Sequence, residues 1–459
     1  MILEHFLRML KMGFLVLATI LVTFIILLVT NSFASFFLAI LMLFICCACV
    51  KMMSKKIQFS AFKTLFIVYA FYVMLSILHY YDIVNYDLYT YPDEVDHFIP
   101  FVDDVILSSN TFSSIYEKSL NYNIGENYGY YVYIGGLCFF CKNVLGDYNI
   151  MQLFLSSVFI SCLYSLVLYK LISLYVSDKM ACKYSVFFML CSPIVLYSFP
   201  VLRDIHISFL FLLGIYIVIR KCDLKYGIPI MLVLNLLLIT IRTEHGLFFS
   251  VIFLVYVYIK SSRYKVLFIT LMSVFVVLGY SYIQYSLNVA GETSEMYSGI
   301  VQNNAHLGGF GMKLLMLPTP MKEIVCSFYS QIFPIPPWYY IYECDSTLFS
   351  YIIAFLRTIK TIMWFYVIFI VIYSFVFYKV YSKVQDEYKY LLLVTLMLIV
   401  ACSTEFNEVR RFMCCYPIVY LLFIRLKNEY LSSIKFLKAA RKGILLYLII
   451  LILYIVFIA

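Results

Sequence analysis

The stretch MGFLVLATILVTFIILLVT, from Met12 to Thr30, contains no charged residue. As a helix it would rise about 28 Å, which is close to the roughly 30 Å thickness of a bilayer's hydrocarbon core. A second apolar run, from Ala34 to Val50, follows after a short polar break. The first run is long for a signal peptide, and no small-residue cleavage site separates it from the second. We therefore interpret both runs as retained membrane helices.

The remainder of the chain repeats this pattern. The 459 residues are 64% hydrophobic and 13% charged, with a mean hydropathy of +0.94, which is more apolar surface than a soluble core of this length could bury. Apolar runs of membrane-spanning length recur to the end, each closed by a short polar patch. We predict an all-α, polytopic integral membrane protein with about thirteen transmembrane helices, at 12–30, 34–50, 61–79, 150–175, 184–200, 207–219, 227–241, 246–259, 266–283, 361–380, 390–402, 412–424 and 443–459.

Basic residues predict the orientation of these helices. The net charge of +9 is better explained by membrane topology than by nucleic-acid binding, which we do not expect. If the apolar stretch from Tyr128 to Leu145 lies on the outer surface as an interfacial helix, most lysines and arginines fall in inner segments. This arrangement predicts a polytopic membrane protein with two long loops on the outer side. The predicted parts are membrane helices in 1–79, 150–283 and 361–459, a first loop at 80–149 and a second at 284–360.

Four clusters of ionisable residues fall on the predicted outer face. Such groups are costly at a membrane boundary, so a set of them on one side is a candidate functional site. Three of the clusters lie in turns so short that their side chains are expected to stay at helix ends and converge. The clusters are Asp93-Glu94-Val95-Asp96-His97, Arg203-Asp204-Ile205-His206, Arg242-Thr243-Glu244-His245, and Glu405 with Glu408, Arg410 and Arg411.

Carboxylates mixed with cations suit glycosyl transfer from a lipid phosphate. A carboxylate can take the proton from an acceptor hydroxyl, and arginine or histidine can hold the departing phosphate. The alternative interpretation is that each pair of opposite charges neutralises itself at a helix end and has only a structural role.

The order of these features resembles a known family. Tyr91-Pro92-Asp93-Glu94, followed by His97-Phe98, is similar to the Asp-Glu motif of protein O-mannosyltransferases, which belong to the GT-C superfamily of lipid-dependent transferases. The resemblance spans about residues 60 to 420, but the Asp-Glu loop follows the third predicted span here and the first in the family. The other similar stretches are Asn127-Tyr-Gly-Tyr-Tyr131 with Gly146-Asp-Tyr-Asn149, Ser192-Pro193 with Leu202-Arg203-Asp204, and Glu408-x-Arg410-Arg411-Phe412 with Tyr416-Pro417.

A second resemblance is to O-antigen polymerases, which share the many helices, the large outer loop in the second half and the outer arginines. A third interpretation is a flippase or transporter of lipid-linked glycans without catalysis. Transporters usually place polar groups near the middle of the membrane, whereas the predicted spans here hold few strongly polar side chains apart from Asn235.

We expect a GT-C-like enzyme that transfers a sugar or oligosaccharide from a polyprenyl phosphate or diphosphate to an acceptor hydroxyl on the periplasmic side. Its partners would be that donor, a glycan acceptor and the bilayer. Asp93 or Glu94 is the predicted general base, and Asp204 would orient the acceptor or a divalent metal, Mg or Mn. Arg203, Arg242, Arg410 and Arg411 would hold the phosphate. Further substrate-binding candidates are His97, His206, Glu244, His245, Glu405 and Glu408.

Overall fold

The protein is helical throughout the part that the structure describes. The computed structural model describes residues 2–89, 91–109, 111–122, 127–260, 314, 317–318, 321–342, 344–403 and 409–457, and no β-strand occurs in them. Eight helices in these ranges are long and apolar enough to cross a membrane, so the chain is an all-helical, multi-pass membrane protein. They are Met12–Thr30, Phe33–Lys51, Lys55–Tyr86, Met151–Ile172, Leu224–Ile241, Thr243–Lys260, Leu348–Tyr378 and Ser433–Val456.

The count of thirteen spans stays a prediction. The proposed span at 266–283 lies outside the described residues. The one proposed at 184–200 is not a continuous helix, because the helix ends at Cys191 and the chain continues as a 3-10 turn over Pro193–Tyr197. Pro193 and Pro200 explain the break, since proline lacks the N–H that a helix needs and disfavours helical backbone in the residue before it.

The chain divides into two compact units. The first comprises Met1–Phe209 with Trp338–Lys360, and the second comprises Leu210–Pro337 with Thr361–Ala459. The first unit contains α1 (Ile2–Thr30), α2 (Phe33–Lys51), α3 (Lys55–Tyr86), α4 (Ile99–Ser108), α5 (Phe112–Tyr122), α6 (Tyr128–Phe140), α7 (Met151–Ile172), α8 (Asp178–Cys191) and the start of α9 (Asp204–Arg220).

Helix α3 is the centre of the first unit. It packs against α1, α7 and α8, and α2 packs against α1 and α7. A buried hydroxyl ties α3 to α8, because Tyr72 Oη donates to the carbonyl of Met189 at 2.5 Å. Buried aromatic and aliphatic side chains fill the rest of this contact, so α3 provides a rigid support for whatever lies at its ends.

Between α8 and α9 the chain is irregular and buried. Every residue from 192 to 202 is buried, which requires that side chains satisfy the backbone groups that a helix would otherwise pair. Ser157 Oγ donates to the carbonyl of Pro200 at 2.8 Å, and Ser161 Oγ donates to that of Ser198 at 3.0 Å. Tyr91 Oη donates to the carbonyl of Leu196 at 3.0 Å. We call residues 192–203 the broken segment.

The predicted first loop is folded rather than extended. It contains the short helices α4, α5 and α6, and α6 packs against both of the others. The helix expected between Tyr128 and Leu145 is present as α6, prolonged by a π-helical turn over Cys141–Leu145. Its position at the membrane surface stays a prediction.

The second unit contains α10 (Leu224–Ile241) and α11 (Thr243–Lys260), which pack against each other. Gly227 makes room for Tyr256, since a Cβ atom there would lie 1.8 Å from the tyrosine oxygen. Asn235, the polar exception among the predicted spans, donates from Nδ2 to Ser250 Oγ at 2.9 Å. The other main helices of this unit include Met321–Ile332, Asp386–Ser403, Tyr416–Arg425 and Ser433–Phe457.

Candidate functional site

Glu94, a predicted general base, is fully buried and hydrogen-bonded. His79 Nε2 lies 3.2 and 3.3 Å from its two carboxylate oxygens, and neither side chain has any exposed surface. The backbone N–H of Val201 donates to Glu94 Oε1 at 2.8 Å. This bond joins the Asp-Glu motif to the broken segment across more than one hundred positions of sequence. Both carboxylate oxygens of Glu94 therefore have hydrogen-bond partners in this conformation.

The rest of the Asp-Glu motif lies on a widened helical turn. Residues Glu94–Phe98 form a π-helix that runs directly into α4. Pro100 explains the widening, because its ring would clash with the carbonyl four residues earlier in a regular α-helix. Turns of this kind are frequent at functional sites. Asp93 is half-buried at the start of the turn, and His97 is exposed.

The Arg203-Asp204 turn lies where the broken segment ends and α9 begins. Asp204 is the first residue of α9 and is 4% exposed, whereas Arg203 is half-buried. An acidic group at this position is stabilised by the partial positive charge of the helix N-terminus. Because Val201 is bound to Glu94, this turn and the Asp-Glu motif belong to one local structure in the first unit.

Two tyrosines of α6 have pKa values that are shifted by the charged groups around them. Burial raises the pKa of Tyr130 well above its usual range, and the nearby carboxylates of Asp204 and Glu94 raise it further. The pKa of Tyr131 is raised to about 12, first by burial, against the opposing charge of Arg203 and with a small contribution from Asp93. Asp93, Glu94, Arg203 and Asp204 thus all act on neighbouring side chains of one helix, and those phenols stay protonated at neutral pH.

His206, a predicted ligand of the substrate, is enclosed by aromatic rings. Its ring centroid lies 5.3 Å from that of Tyr130 and 5.0 Å from that of Tyr133. Burial lowers the pKa of His206 to about 4, and the nearby backbone of Leu202 opposes this shift only in part. The imidazole is neutral at physiological pH and can contribute no positive charge to phosphate binding.

A pocket that sequence reasoning missed opens in the same unit. It has a volume of about 150 Å³ and is lined by charged and aromatic side chains, including Asp82, Tyr89, Tyr340, Asp345 and Arg357. A second pocket of about 570 Å³ shares Asp82, Leu88, Asp345 and Phe349 with it. We call the two together the α3-end pocket, because Asp82 lies one turn before the end of α3.

The α3-end pocket has an ordered wall. Asp82 is 3% exposed and accepts a hydrogen bond from Thr347 Oγ1 at 2.5 Å. The guanidinium of Arg357 lies 4.4 Å from the ring centroid of Tyr340, which is a cation–π contact. Phe349 lines the pocket and also stacks on His79, with ring centroids 5.0 Å apart. One side chain therefore separates the pocket from the buried His79–Glu94 pair.

In the second unit, the turn at Arg242 is tied to a distant part of the chain. Arg242 Nε lies 3.6 Å from Glu244 Oε2, although the Glu244 side chain is 40% exposed. His245 is buried, and its Nε2 lies 2.6 Å from the carbonyl oxygen of Arg411. Arg242 and Arg411 are both buried, with exposures of 6% and 8%. The structure thus joins two of the predicted clusters through one contact, between His245 of the third cluster and Arg411 of the fourth.

The other predicted residues of this unit are less informative. Arg410 is half-buried in a short 3-10 turn, Val409–Arg411. Glu405 and Glu408 lie outside the described residues. Among the residues that the structure describes, no group of three or more histidine, cysteine, aspartate or glutamate side chains could hold a metal ion.

Comparisons of this chain with protein-family models, with curated proteins and with solved structures give no match. The functional argument therefore rests on the chain's own residues.

Sequence reasoning missed His79, Asp82, Tyr340 and Arg357. His79 is the last residue of a predicted span. Its position could have indicated its partner, because a histidine at a helix end close to an acidic motif can bind a carboxylate of that motif. Arg357 and Asp82 gave no comparable signal, because nothing in the sequence indicates that residues so far apart line one pocket.

Proposed function

We propose that this protein transfers a sugar or oligosaccharide from a polyprenyl phosphate or diphosphate to an acceptor hydroxyl, at the outer face of the bacterial inner membrane. The observation that carries the proposal is the hydrogen bond between Val201 and Glu94. It brings the Asp-Glu motif beside the Arg203-Asp204 turn, so that a half-buried carboxylate and a half-buried guanidinium share one local structure.

Asp93 serves as the general base. Glu94 is held by His79 and Val201 and has no exposed surface, whereas Asp93 precedes it and is half-buried. A base must reach the acceptor hydroxyl within about 3 Å in the assembled complex. The bonds of Glu94 fix the backbone of its neighbour, and such support is what a positioned base requires.

The reaction balances with these groups. The acceptor oxygen attacks the anomeric carbon of the donor sugar, and the bond from that carbon to the phosphate oxygen breaks. The proton of the hydroxyl passes to Asp93, and the phosphate leaves with the bonding electron pair. Arg203 neutralises the charge that develops on the phosphate, and Asp204 orients the acceptor. Arg242, Arg410 and Arg411 stay predicted phosphate ligands.

The test is reconstitution of the purified protein in proteoliposomes with a polyprenyl-diphosphate-linked oligosaccharide and an acceptor glycan. Mass spectrometry of the products distinguishes the three interpretations. A single added unit supports the proposal, a ladder of repeats indicates a polymerase, and movement of the lipid-linked glycan without a new glycosidic bond indicates a flippase.

Asp204→Asn is the matched test of the site. We expect it to lower the transfer rate by at least about 100-fold, which is a usual loss for a group acting in proton transfer or orientation. Asp104→Asn is the control, because Asp104 lies on the surface in an ion pair with Lys118 at 2.5 Å. An unchanged rate in Asp204→Asn would refute the assignment of this turn.

The orientation is tested separately. The excess of basic residues at 176–183 and 425–442 favours an inner location for these segments. We expect a periplasmic reporter fused after Lys179 to be inactive and one fused within α5 to be active. The opposite pattern would place the Asp-Glu motif on the cytoplasmic side and exclude a periplasmic reaction.

A further inference from the structure

We infer that the α3-end pocket binds an uncharged saccharide, and that this saccharide is the acceptor of the proposed reaction. The identification of the ligand as the acceptor rests on the proposed function. The binding of a saccharide rests on the pocket alone.

The charges of the pocket argue against a phosphate ligand. Two carboxylates, Asp82 and Asp345, face one guanidinium, Arg357, so the lining carries a net negative charge. A diphosphate would be repelled by the carboxylates, whereas sugar hydroxyls can donate to them. Hydrogen bonds to a charged acceptor are about twice as strong as those between neutral groups. The pocket therefore favours a ligand rich in hydroxyl groups and without negative charge.

The aromatic side chains supply the second feature of a saccharide site. Tyr89, Tyr340 and Phe349 line the pocket and offer ring faces to the apolar C–H surface of a sugar. Tyr340 is held by its contact with Arg357, and Phe349 by its stacking on His79. Binding against a ring that is already fixed costs less conformational entropy than binding against a mobile ring.

The pocket is large enough and is built before binding. The larger cavity, which Asp82, Asp345 and Phe349 line, has a volume of about 570 Å³ and lies within the range of about 300 to 1,000 Å³ that is usual for small-molecule sites. The smaller cavity of about 150 Å³ adds Tyr89, Tyr340 and Arg357. Asp82 is the buried anchor, since Thr347 holds one of its oxygens at 2.5 Å. A buried carboxylate in a polar cavity is a costly feature, and ligand binding gives a reason to keep it.

The position of the pocket fits the acceptor. Phe349 contacts both the pocket and His79, which in turn holds Glu94, the residue after the proposed base. Burial raises the pKa of Tyr89, and the carboxylates of Asp87, Asp103 and Glu94 raise it further. This pocket residue is therefore close enough to Glu94 to interact with its charge. An acceptor bound here would lie next to the loop that carries Asp93.

Tryptophan fluorescence provides a binding assay that does not depend on catalysis. The chain has two tryptophans. Trp364 is buried in the second unit, whereas Trp338 lies two residues before Tyr340. In a Trp364→Phe background, Trp338 is the remaining tryptophan, and its emission reports changes close to Tyr340. The probe is the phosphate-free oligosaccharide released by acid hydrolysis from the surface polysaccharide of the source bacterium, and sodium pyrophosphate is the comparison.

We expect saturable binding of the oligosaccharide and none of pyrophosphate. Asp82→Asn and Tyr340→Ala should each weaken binding by about tenfold or more. Asp87→Asn is the control, because Asp87 is exposed, lines neither cavity and sits at a left-handed position that asparagine tolerates. Tyr340→Phe should retain most of the affinity, because it keeps the ring.

The outcomes separate the two proposals. Binding that depends on Asp82, in a protein that transfers no sugar, would support the pocket and refute the proposed reaction. Transfer that proceeds unchanged in Asp82→Asn and Tyr340→Ala would refute the assignment of the pocket to the acceptor and leave the reaction standing. Equal binding of pyrophosphate, or oligosaccharide binding that none of these variants weakens, would overturn the inference.

Discussion

Two turns of this molecule share a pattern of arginine, acidic residue and histidine but have different surroundings. Arg203-Asp204-Ile205-His206 and Arg242-Thr243-Glu244-His245 each place an arginine just before a helix, an acidic residue in its first turn and a histidine at its third position. Asp204 is 4% exposed, whereas the side chain of Glu244 is 40% exposed. His206 is packed against two tyrosine rings, and His245 is hydrogen-bonded to the backbone of Arg411.

The difference shows that the neighbours of such a turn decide its role. In the first unit the turn follows a buried irregular segment whose carbonyls and N–H groups are held by Ser157, Ser161 and Glu94. In the second unit the corresponding turn joins two packed helices directly, and its acidic residue reaches solvent. The first turn is thus held by a buried irregular segment, and the second directly connects two packed helices.

The largest expected effect is on stability. Glu94→Ala removes the partner of His79 and of the Val201 N–H in a fully buried place, and it should cost about 3 to 5 kcal/mol of unfolding free energy. Glu244→Ala removes a partly exposed partner of Arg242, and it should cost less than about 1 kcal/mol. Thermal unfolding in detergent measures both. Equal losses would remove the contrast between the two turns.

The next effect is on transfer. Arg203→Gln should lower the rate of sugar transfer by about 100-fold, because removing one group that stabilises transition-state charge costs about that much. Arg242→Gln should lower it by less than tenfold, measured per folded molecule in proteoliposomes with the same donor. A comparable loss in Arg242→Gln would show that the two turns contribute equally to phosphate binding.

A smaller effect is on the pH dependence of stability. Because the pKa of His206 is about 4 in the folded protein and about 6.5 in an unfolded chain, the unfolded state binds the proton first as the pH falls. The contribution of His206 to the free energy of unfolding is therefore fully present above pH 6.5. It is lost progressively between pH 6.5 and 4, with a slope of at most about 1.4 kcal/mol per pH unit. His206→Phe should lose less stability than the wild type over this interval in thermal unfolding. An identical decline in both proteins would contradict the burial of a neutral imidazole.

The helical membrane fold could be predicted from the sequence because apolar runs of spanning length are a local property. The break after Cys191 was missed although Pro193 and Pro200 are visible, since the surrounding residues are as apolar as a span. The folded character of the first loop was missed for another reason. Its helices are held by contacts between aromatic residues far apart in sequence, such as Phe98 with Tyr130 and Phe101 with Tyr131.

The candidate site was predictable in part. Asp93, Arg203 and Asp204 drew attention because ionisable groups are rare in this chain, and the structure places them in one unit. The different surroundings of Asp93 and Glu94 could not be predicted from two adjacent acidic residues in the sequence. They depend on which side chain turns toward His79, and that is set by the widened turn before Pro100.

Asp93 and Glu94 are adjacent carboxylates for which we propose different roles, and a comparison of Asp93→Asn with Glu94→Gln tests this difference. The measurement is the transfer rate per folded molecule, with the folded fraction determined by size-exclusion chromatography of the same preparations. We predict that Asp93→Asn accumulates and folds like the wild type but transfers at least 100-fold more slowly, whereas Glu94→Gln mainly reduces the folded fraction. Near-normal transfer by folded Asp93→Asn would contradict this account.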